Sequence, residues 1–263
     1  MKAYVRFRDH YYTFCDNNRL TTYSKKSVEL WVVKLSEEGK SYGSILSHVS
    51  AIKFFCTKKG KKLKFDTKRL KLILRGIKNS SPRPKLAAAL SYDQLVCMVN
   101  SSKRVLGKAN GIRFSAMITC AFFGMMRPSE YCVSGAGHEI LVRDISVSRE
   151  GADITFTSFK HSKGPAKIRI PRQSGSCCPI YRLQRYLKVC TKPNKALFPI
   201  THRKYRAEFD QVIESLGFGG GLTPHSLRRG GASWASMQGW SDSRIRAYGR
   251  WSSNAFKKYV VIK

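Results

Sequence analysis

Two prolines within ten residues, in Asn79-Ser80-Ser81-Pro82-Arg83-Pro84-Lys85-Leu86-Ala87-Ala88, interrupt a chain whose apolar residues otherwise recur mostly at helical spacing. Proline has no amide hydrogen and pushes the residue before it into extended conformations, so this stretch reads as a link and not as a helix. It predicts an N-terminal domain over 1–79, a linker over 80–88 and a second domain over 89–263. In residues 22–78 the apolar positions fall at Val28, Leu30, Trp31 and Leu35, then Ile45, Leu46, Val49, Ile52 and Phe55, then Leu70, Leu72, Ile73 and Ile77. With Gly39 and Gly60 as punctuation, this spacing predicts a compact bundle of about four helices. The run Lys58-Lys59-Gly60-Lys61-Lys62 reads as a solvated turn of that bundle.

Beyond the linker, Ser91 is placed to cap a helix over 92–99, and helical spacing returns over 112–126. Between 140 and 171 the period shortens. Ile140-Leu141-Val142, Ile154-Thr155-Phe156-Thr157 and Ile168-Arg169-Ile170, separated by Gly151 and Gly164-Pro165, predict a small antiparallel sheet. Helices are expected again over 178–190, 203–216, 224–238, 242–248 and 253–259. The expected fold class is therefore mainly α: a helical N-terminal domain, then a mostly helical domain carrying a three-stranded insert.

Lys and Arg number 49 against 16 Asp and Glu, a net charge of +33 on 263 residues. The excess is spread along the chain, with 19 basic and 6 acidic side chains in residues 1–80 and 30 against 10 in the remainder. A surface so unbalanced repels itself unless something neutralises it, which points to a polyanion as partner. Duplex DNA carries a phosphate charge about every 1.7 Å of its axis, and charge on both halves suits two surfaces facing one duplex. The alternative is a basic solvated surface with no dedicated ligand. Neutralising about 10 phosphates would give a log-log salt slope near −9.

An apolar content of 42% is ordinary for a packed chain and excludes a disordered basic arm. The longest apolar stretch, 114–126, is too short to span a bilayer, and Met1-Lys2-Ala3-Tyr4-Val5-Arg6 lacks the apolar core of a signal segment. A soluble, intracellular protein with no membrane partner is expected. The eight cysteines, at 15, 56, 97, 120, 132, 177, 178 and 190, form no Cys-x-x-Cys pair, so neither a zinc module nor a disulfide framework is indicated, and no cofactor is expected. Cys177-Cys178 reads as a pair of buried thiols at a helix entrance.

The residues that could do chemistry come late and in a definite order. Arg127 and Glu130 lie in Met126-Arg127-Pro128-Ser129-Glu130, Lys163 in Ser162-Lys163-Gly164, and His225 and Arg228 in His225-Ser226-Leu227-Arg228. Trp251 follows in Gly249-Arg250-Trp251, and Tyr259 stands four residues before the end. A phosphodiester resists attack because its nonbridging oxygens are charged and gain charge in the pentacoordinate state. Two guanidiniums, Arg127 and Arg228, can neutralise it through planar forks, each such donor contributing on the order of 10²–10³ in rate. A phenol such as Tyr259 is a nucleophile once its proton is taken. His225, one helical turn before Arg228, can take or give that proton. Lys163, on a turn, can protonate the departing sugar oxygen. Trp251 has an indole donor and no acceptor, which limits it to positioning, and Glu130 can orient a guanidinium. Singly, each of these residues is more often a surface or core side chain; together their order points to covalent phosphoryl transfer on DNA.

This order resembles the tyrosine recombinases, or phage-type integrases, over nearly the whole chain. Met126–Glu130 resembles the family's first-arginine box. Ser162-Lys163-Gly164 with Lys167-Ile168-Arg169-Ile170-Pro171 resembles its lysine hairpin, and Pro224-His225-Ser226-Leu227-Arg228-Arg229-Gly230-Gly231-Ala232 its His-x-x-Arg box. Gly249-Arg250-Trp251-Ser252-Ser253 and Phe256-Lys257-Lys258-Tyr259 most resemble recombinases of mobile elements such as DIRS-type retrotransposons and cryptons, in which Trp replaces a second histidine.

The resemblance implies a core-binding domain and a catalytic domain closing on double-stranded DNA. It implies a 3'-phosphotyrosine intermediate, release of a 5'-hydroxyl, and strand exchange in a homo-tetramer without metal or nucleotide energy. It further implies that Arg127 and Arg228 bind the scissile phosphate, Lys163 (with Lys160 competing for the role) is the general acid, His225 transfers protons and binds phosphate, Trp251 supplies a hydrogen bond and packing, and Tyr259 attacks. A type IB-like topoisomerase and a non-catalytic domesticated DNA-binding protein are the competing readings. The expected compartment is the nucleus for a eukaryotic element and the cytoplasm otherwise.

Overall fold

The computed structural model describes the chain except residues 61–66, 83–87, 134–136, 138, 160–163, 190–192 and 261–263, and except the side chains of Lys2, Ala255 and Lys258. The backbone separates into two compact units, Met1–Lys85 and Leu86–Lys263.

The first unit is a helical bundle of α1 (Lys2–Asn17), α2 (Lys25–Glu37), α3 (Tyr42–Lys58) and α4 (Lys68–Ser80). Three of the helices begin on a hydroxyl that accepts an otherwise unpaired amide: Ser24 from Ser27, Ser41 from Ser44, and Thr67 from Leu70. Tyr11, Cys15, Val28, Trp31, Val32, Leu35, Ile45, Ile52, Cys56 and Leu70 form its core. Only three of these helices begin within 22–78, where about four were expected. The other is α1, whose Tyr4, Phe7, Tyr11 and Cys15 recur every three or four residues and turn one face to α3.

The second unit is built around α6 (Lys108–Phe123), which is buried on nearly every side from Phe114 to Phe123. That explains its continuous apolar text, since a helix covered all round has no polar face to show. It pairs with α5 (Tyr92–Leu106), which starts at the expected Ser91 in a reciprocal cap with Gln94. A short helix α7 (Pro128–Tyr131) follows. Then come three antiparallel strands in sequential order, β1 (Ile145–Val147), β2 (Gly151–Phe156) and β3 (Ala166–Pro171), with Ile154 opposite both Ile145 and Ile168. The remaining helices are α8 (Pro179–Leu187), α9 (His202–Ser215), α10 (Pro224–Met237) and α11 (Asp242–Tyr248). Cys177 and Cys178 are buried just before α8. Among the described residues, no helix is long and apolar enough to cross a membrane.

Two expected elements differ. Ile140-Leu141-Val142 is not a strand: Leu141 makes a single bridge to Ala196, and Val142–Asp144 turns as a 3-10 helix. The cause is Asp144, whose carboxylate accepts the Leu141 amide at 2.9 Å and closes the chain on itself, so the strand begins at Ile145. The segment over 253–259 is not an α-helix but a 3-10 turn, Asn254–Lys258, which ends at Tyr259.

What positions the site is the seating of α10. Its Gly230 and Gly231 lie so close to the Leu90 and Phe122 carbonyl oxygens that a Cβ at either would overlap them. The helix therefore rests on the end of α6, and the Leu90 amide donates to the Ser226 carbonyl at 3.1 Å.

Candidate active site

After α6 the chain reverses at Gly124-Met125, with Met125 in the left-handed region at φ 46°. Arg127 then begins α7, with Pro128 in the first turn, where a missing amide hydrogen costs nothing. Glu130, in the same turn, is fully buried and accepts the Arg127 amide at 2.7 Å through Oε2 and Arg127 Nη1 at 2.8 Å through Oε1. Local sequence thus builds one half of the site, a guanidinium held by a carboxylate three residues on.

The other half comes from α10 and the turn after α11. Thr223 caps α10 and Pro224 opens it, so His225 and Arg228 share one face a turn apart. Arg228 has no exposed surface. It donates to the carbonyls of Met125 and, at 2.6 Å, Gly249, and its guanidinium carbon lies 3.9 Å from the centre of the Trp251 ring. Trp251 sits face-on to this cation, so its π-system carries the contact. The ring passes directly over Gly249, where even a Cβ would collide with it. Tyr259 completes the group: its hydroxyl is 3.1 Å from His225 Nε2, and its ring lies 5.4 Å from that of Trp251. The Arg228 and Arg229 guanidiniums lie 6.0 and 5.5 Å from the Tyr259 ring centre. Phe256 is buried against Trp251, and Val260 packs on the same cluster.

Four of the six expected residues, His225, Arg228, Trp251 and Tyr259, are linked directly by these contacts, and Arg127 joins them through Arg250. Lys163 lies outside the described residues, as does its competitor Lys160. Sequence reasoning gave no role to Arg229 or Arg250. Arg250 takes φ 58°, is almost wholly buried, and donates to Glu130 Oε2 at 2.9 Å, while its own carbonyl accepts Arg127 Nη2 at 3.2 Å. Left-handed backbone at a non-glycine residue costs about 1–3 kcal/mol, and such strain collects where a site demands a particular geometry. In a chain with 49 basic residues, composition offered no signal for either arginine.

The electrostatics follow from burial and crowding. Burial disfavours a charged Glu130, but Arg250, the Arg127 amide, Arg228 and Arg127 outweigh it and hold the carboxyl below its usual range. Arg228 is pushed well below the ordinary arginine value by burial, then by Arg127 and Arg250. His225 is lowered to about 4 by burial and by repulsion from Arg228, Arg127 and Arg229. At neutral pH its imidazole is therefore neutral, the form whose ring nitrogen can accept a proton from Tyr259. Three guanidiniums gathered around one carboxylate leave positive charge uncompensated, which suits a bound anion.

No family model and no curated protein matches the chain. Solved structures do. The Tn1549 transposon integrase in complex with transposon right-end DNA is 14% identical, with 98% of this chain and 88% of that one covered and a TM-score of 0.65. The chain has the tyrosine recombinase fold. XerA recombinase is 18% identical over all of this chain and 86% of its own, with a TM-score of 0.51. A lambda integrase dimer bound to a COC' core site is 15% identical over 90% of this chain and 64% of its own, with a TM-score of 0.59. At such identities what is shared is the fold, so the chemistry must be argued from the side chains.

Proposed function

We propose that this protein is a site-specific DNA recombinase that cleaves and rejoins double-stranded DNA through a 3'-phosphotyrosine at Tyr259. The observation that carries this reading is the 3.1 Å hydrogen bond between Tyr259 Oη and a His225 ring held neutral beside Arg228. Tyr259, His225 and Arg228 lie together on one chain, which supports reading them as nucleophile, proton acceptor and phosphate-binding charge, with the tyrosine delivered in cis. The DNA complexes of the transposon and lambda integrases, which share the fold, support a DNA substrate.

In the proposed reaction the Tyr259 oxygen bonds to the scissile phosphorus as its proton passes to His225 Nε2. The bond from phosphorus to the 5'-oxygen breaks, and Lys163 donates the proton that the departing oxygen takes. Arg127 and Arg228 neutralise the charge that grows on the nonbridging oxygens. Attack by a 5'-hydroxyl on the phosphotyrosine runs the same steps backwards and seals a strand. Bond energy is conserved, so exchange needs no nucleotide. Because Arg228 has no exposed surface, a phosphate reaches it only after a neighbouring group shifts, and substrate binding therefore includes a rearrangement at the Tyr259 segment. A homo-tetramer on paired sites and a mobile-element origin of the DIRS or crypton kind complete the reading. The Trp251 ring, used here as a cation platform, fits the tryptophan-bearing branch.

The test uses a library of nicked duplexes with random central sequence, incubated with the protein and quenched in SDS. Covalent adducts at one enriched sequence, absent with Tyr259→Phe, are expected. Adduct formation by Tyr259→Phe, or no adduct from the wild type, overturns the mechanism. Relaxation of a supercoiled plasmid without sequence preference would assign the same chemistry to a topoisomerase. Binding without cleavage would leave a DNA-binding protein.

A further inference from the structure

Arg250 occupies the junction between the two halves of the site, its side chain 3% exposed and both terminal nitrogens already engaged by Glu130 and backbone carbonyls. Towards Arg127 it acts twice. Its Nη2 holds Glu130 Oε2 at 2.9 Å, leaving Oε1 to Arg127 Nη1, and its carbonyl accepts Arg127 Nη2 at 3.2 Å. Towards Arg228 it acts through the Met125 carbonyl, which accepts both Arg228 Nη1 and, at 3.3 Å, Arg250 Nη2. Two further carbonyls, Tyr248 at 2.9 Å and Gly124 at 3.4 Å, take Nη1, and the guanidinium lies 3.9 Å over the Phe156 ring of β2. Met125 and Arg250 are two of the three non-glycine residues with positive φ among those described, and they meet at this junction.

We infer that Arg250 is a positioning residue that sets the relative placement of the Arg127 and Arg228 guanidiniums, and so governs the cleavage step and not DNA affinity. The inference rests on the recombinase reading. Its physical content is that one carboxylate cannot align Arg127 by itself. With Arg250 absent, Glu130 Oε2 keeps only the Arg127 amide, the Met125 carbonyl loses one of its two donors, and the guanidiniums relax apart. A planar fork with five N–H donors can serve a carboxylate and three carbonyls at once, and lysine cannot.

The experiment compares wild type, Arg250→Met and Arg250→Lys on the duplex recovered from the adduct library, measuring Kd and the single-turnover rate of adduct formation across pH. A displacement of about 1 Å at a reacting centre costs about 100-fold in rate, and a loss of this size is expected for Arg250→Met with Kd unchanged. Arg250→Lys, which keeps the charge beside Glu130 but not the fork, is expected to fall between, and it carries the test alone if Arg250→Met does not fold. Around Glu130 stand Arg250, Arg127 and Arg228, together with the Arg127 amide. Removing Arg250 raises the carboxyl's affinity for a proton, so the acid side of the rate profile, set by His225 in the wild type, gains a Glu130 step at higher pH in Arg250→Met and keeps its wild-type form in Arg250→Lys. Wild-type rates in both variants, a Kd that weakens in step with the rate, or an unmoved acid limb in a folded Arg250→Met overturns the inference while leaving the recombinase reading intact. A wild type that forms no adduct removes the reading and the inference together.

Discussion

Arg228, wholly buried and bonded to two backbone carbonyls, and Tyr259, partly exposed at the end of a 3-10 turn, stand 6.0 Å apart but are held by different means. The arginine side is tied into α6, α7, α10 and β2 by buried carbonyls, one buried carboxylate and two strained residues. The tyrosine side is tied by one hydrogen bond to His225, by ring contacts, and by the Ser233 hydroxyl donating to its carbonyl at 3.3 Å. The difference teaches that the proposed complementarity to a phosphate is set by the folding of the whole unit, whereas the proposed nucleophile is held locally and can be moved at small cost. Electrostatic stabilisation depends on groups that do not reorganise during reaction, while a nucleophile that must attack and be released gains from mobility.

The sharpest separation of the two sides is Tyr259→Phe. Adduct formation should fall to background while stability changes by no more than the net contribution of one hydrogen bond, about 0.5–1.5 kcal/mol. Gel analysis and urea unfolding check the two halves of that statement.

Next is His225→Gln, which should slow adduct formation by about 10²–10⁴. Because the folded-state value of His225 lies at about 4, below the ordinary 6.5, the unfolded chain binds more protons between those limits. Its contribution to stability is therefore complete above about pH 6.5 and is lost as pH falls towards 4. Urea titrations over that range should show a slope in the wild type that is reduced in His225→Gln; equal slopes would break this assignment. A bound phosphate offsets the arginines, so the acid limb of the rate at saturating DNA should lie at higher pH than that of the free protein.

Glu130→Ala tests the arginine side in the opposite sense. It leaves buried guanidiniums without their carboxylate, and a loss of about 3–5 kcal/mol in unfolding free energy is expected. A stability as little changed as in Tyr259→Phe would erase the contrast between the two sides. The smallest effect belongs to Trp251→Phe, which keeps a ring near Arg228 and should cost about 0.5–2 kcal/mol, the range of a cation–π contact. Calorimetric unfolding measures it.

Much of the frame was legible because it depends on local rules. Ser91 could be read as a cap because a hydroxyl before an apolar period accepts a free amide, and Pro224 as the start of α10 because proline is tolerated there. Glu130 could be tied to Arg127 because a spacing of three residues in a helical turn brings them together. Strands β2 and β3 showed as β-branched runs between glycines. What was hidden depended on backbone groups or on distant neighbours. Helix α1 alternates aromatics with charges, and its apolar face becomes apparent only beside α3. The strand expected at 140–142 gave way to the Asp144 side chain, a competition that propensity does not express. Arg250 works through carbonyls at 124, 125 and 248, and carbonyl groups have no letter in a sequence. Arg229 looked like one more cation in a basic chain.

The Trp251 ring lying across Gly249 restricts how a lineage could alter this site. Any side chain at 249 must wait until the indole has been exchanged for something smaller, whereas the indole can be exchanged first. Substitution at the two positions therefore has an order, and a return to tryptophan is closed once 249 has gained so much as a methyl group.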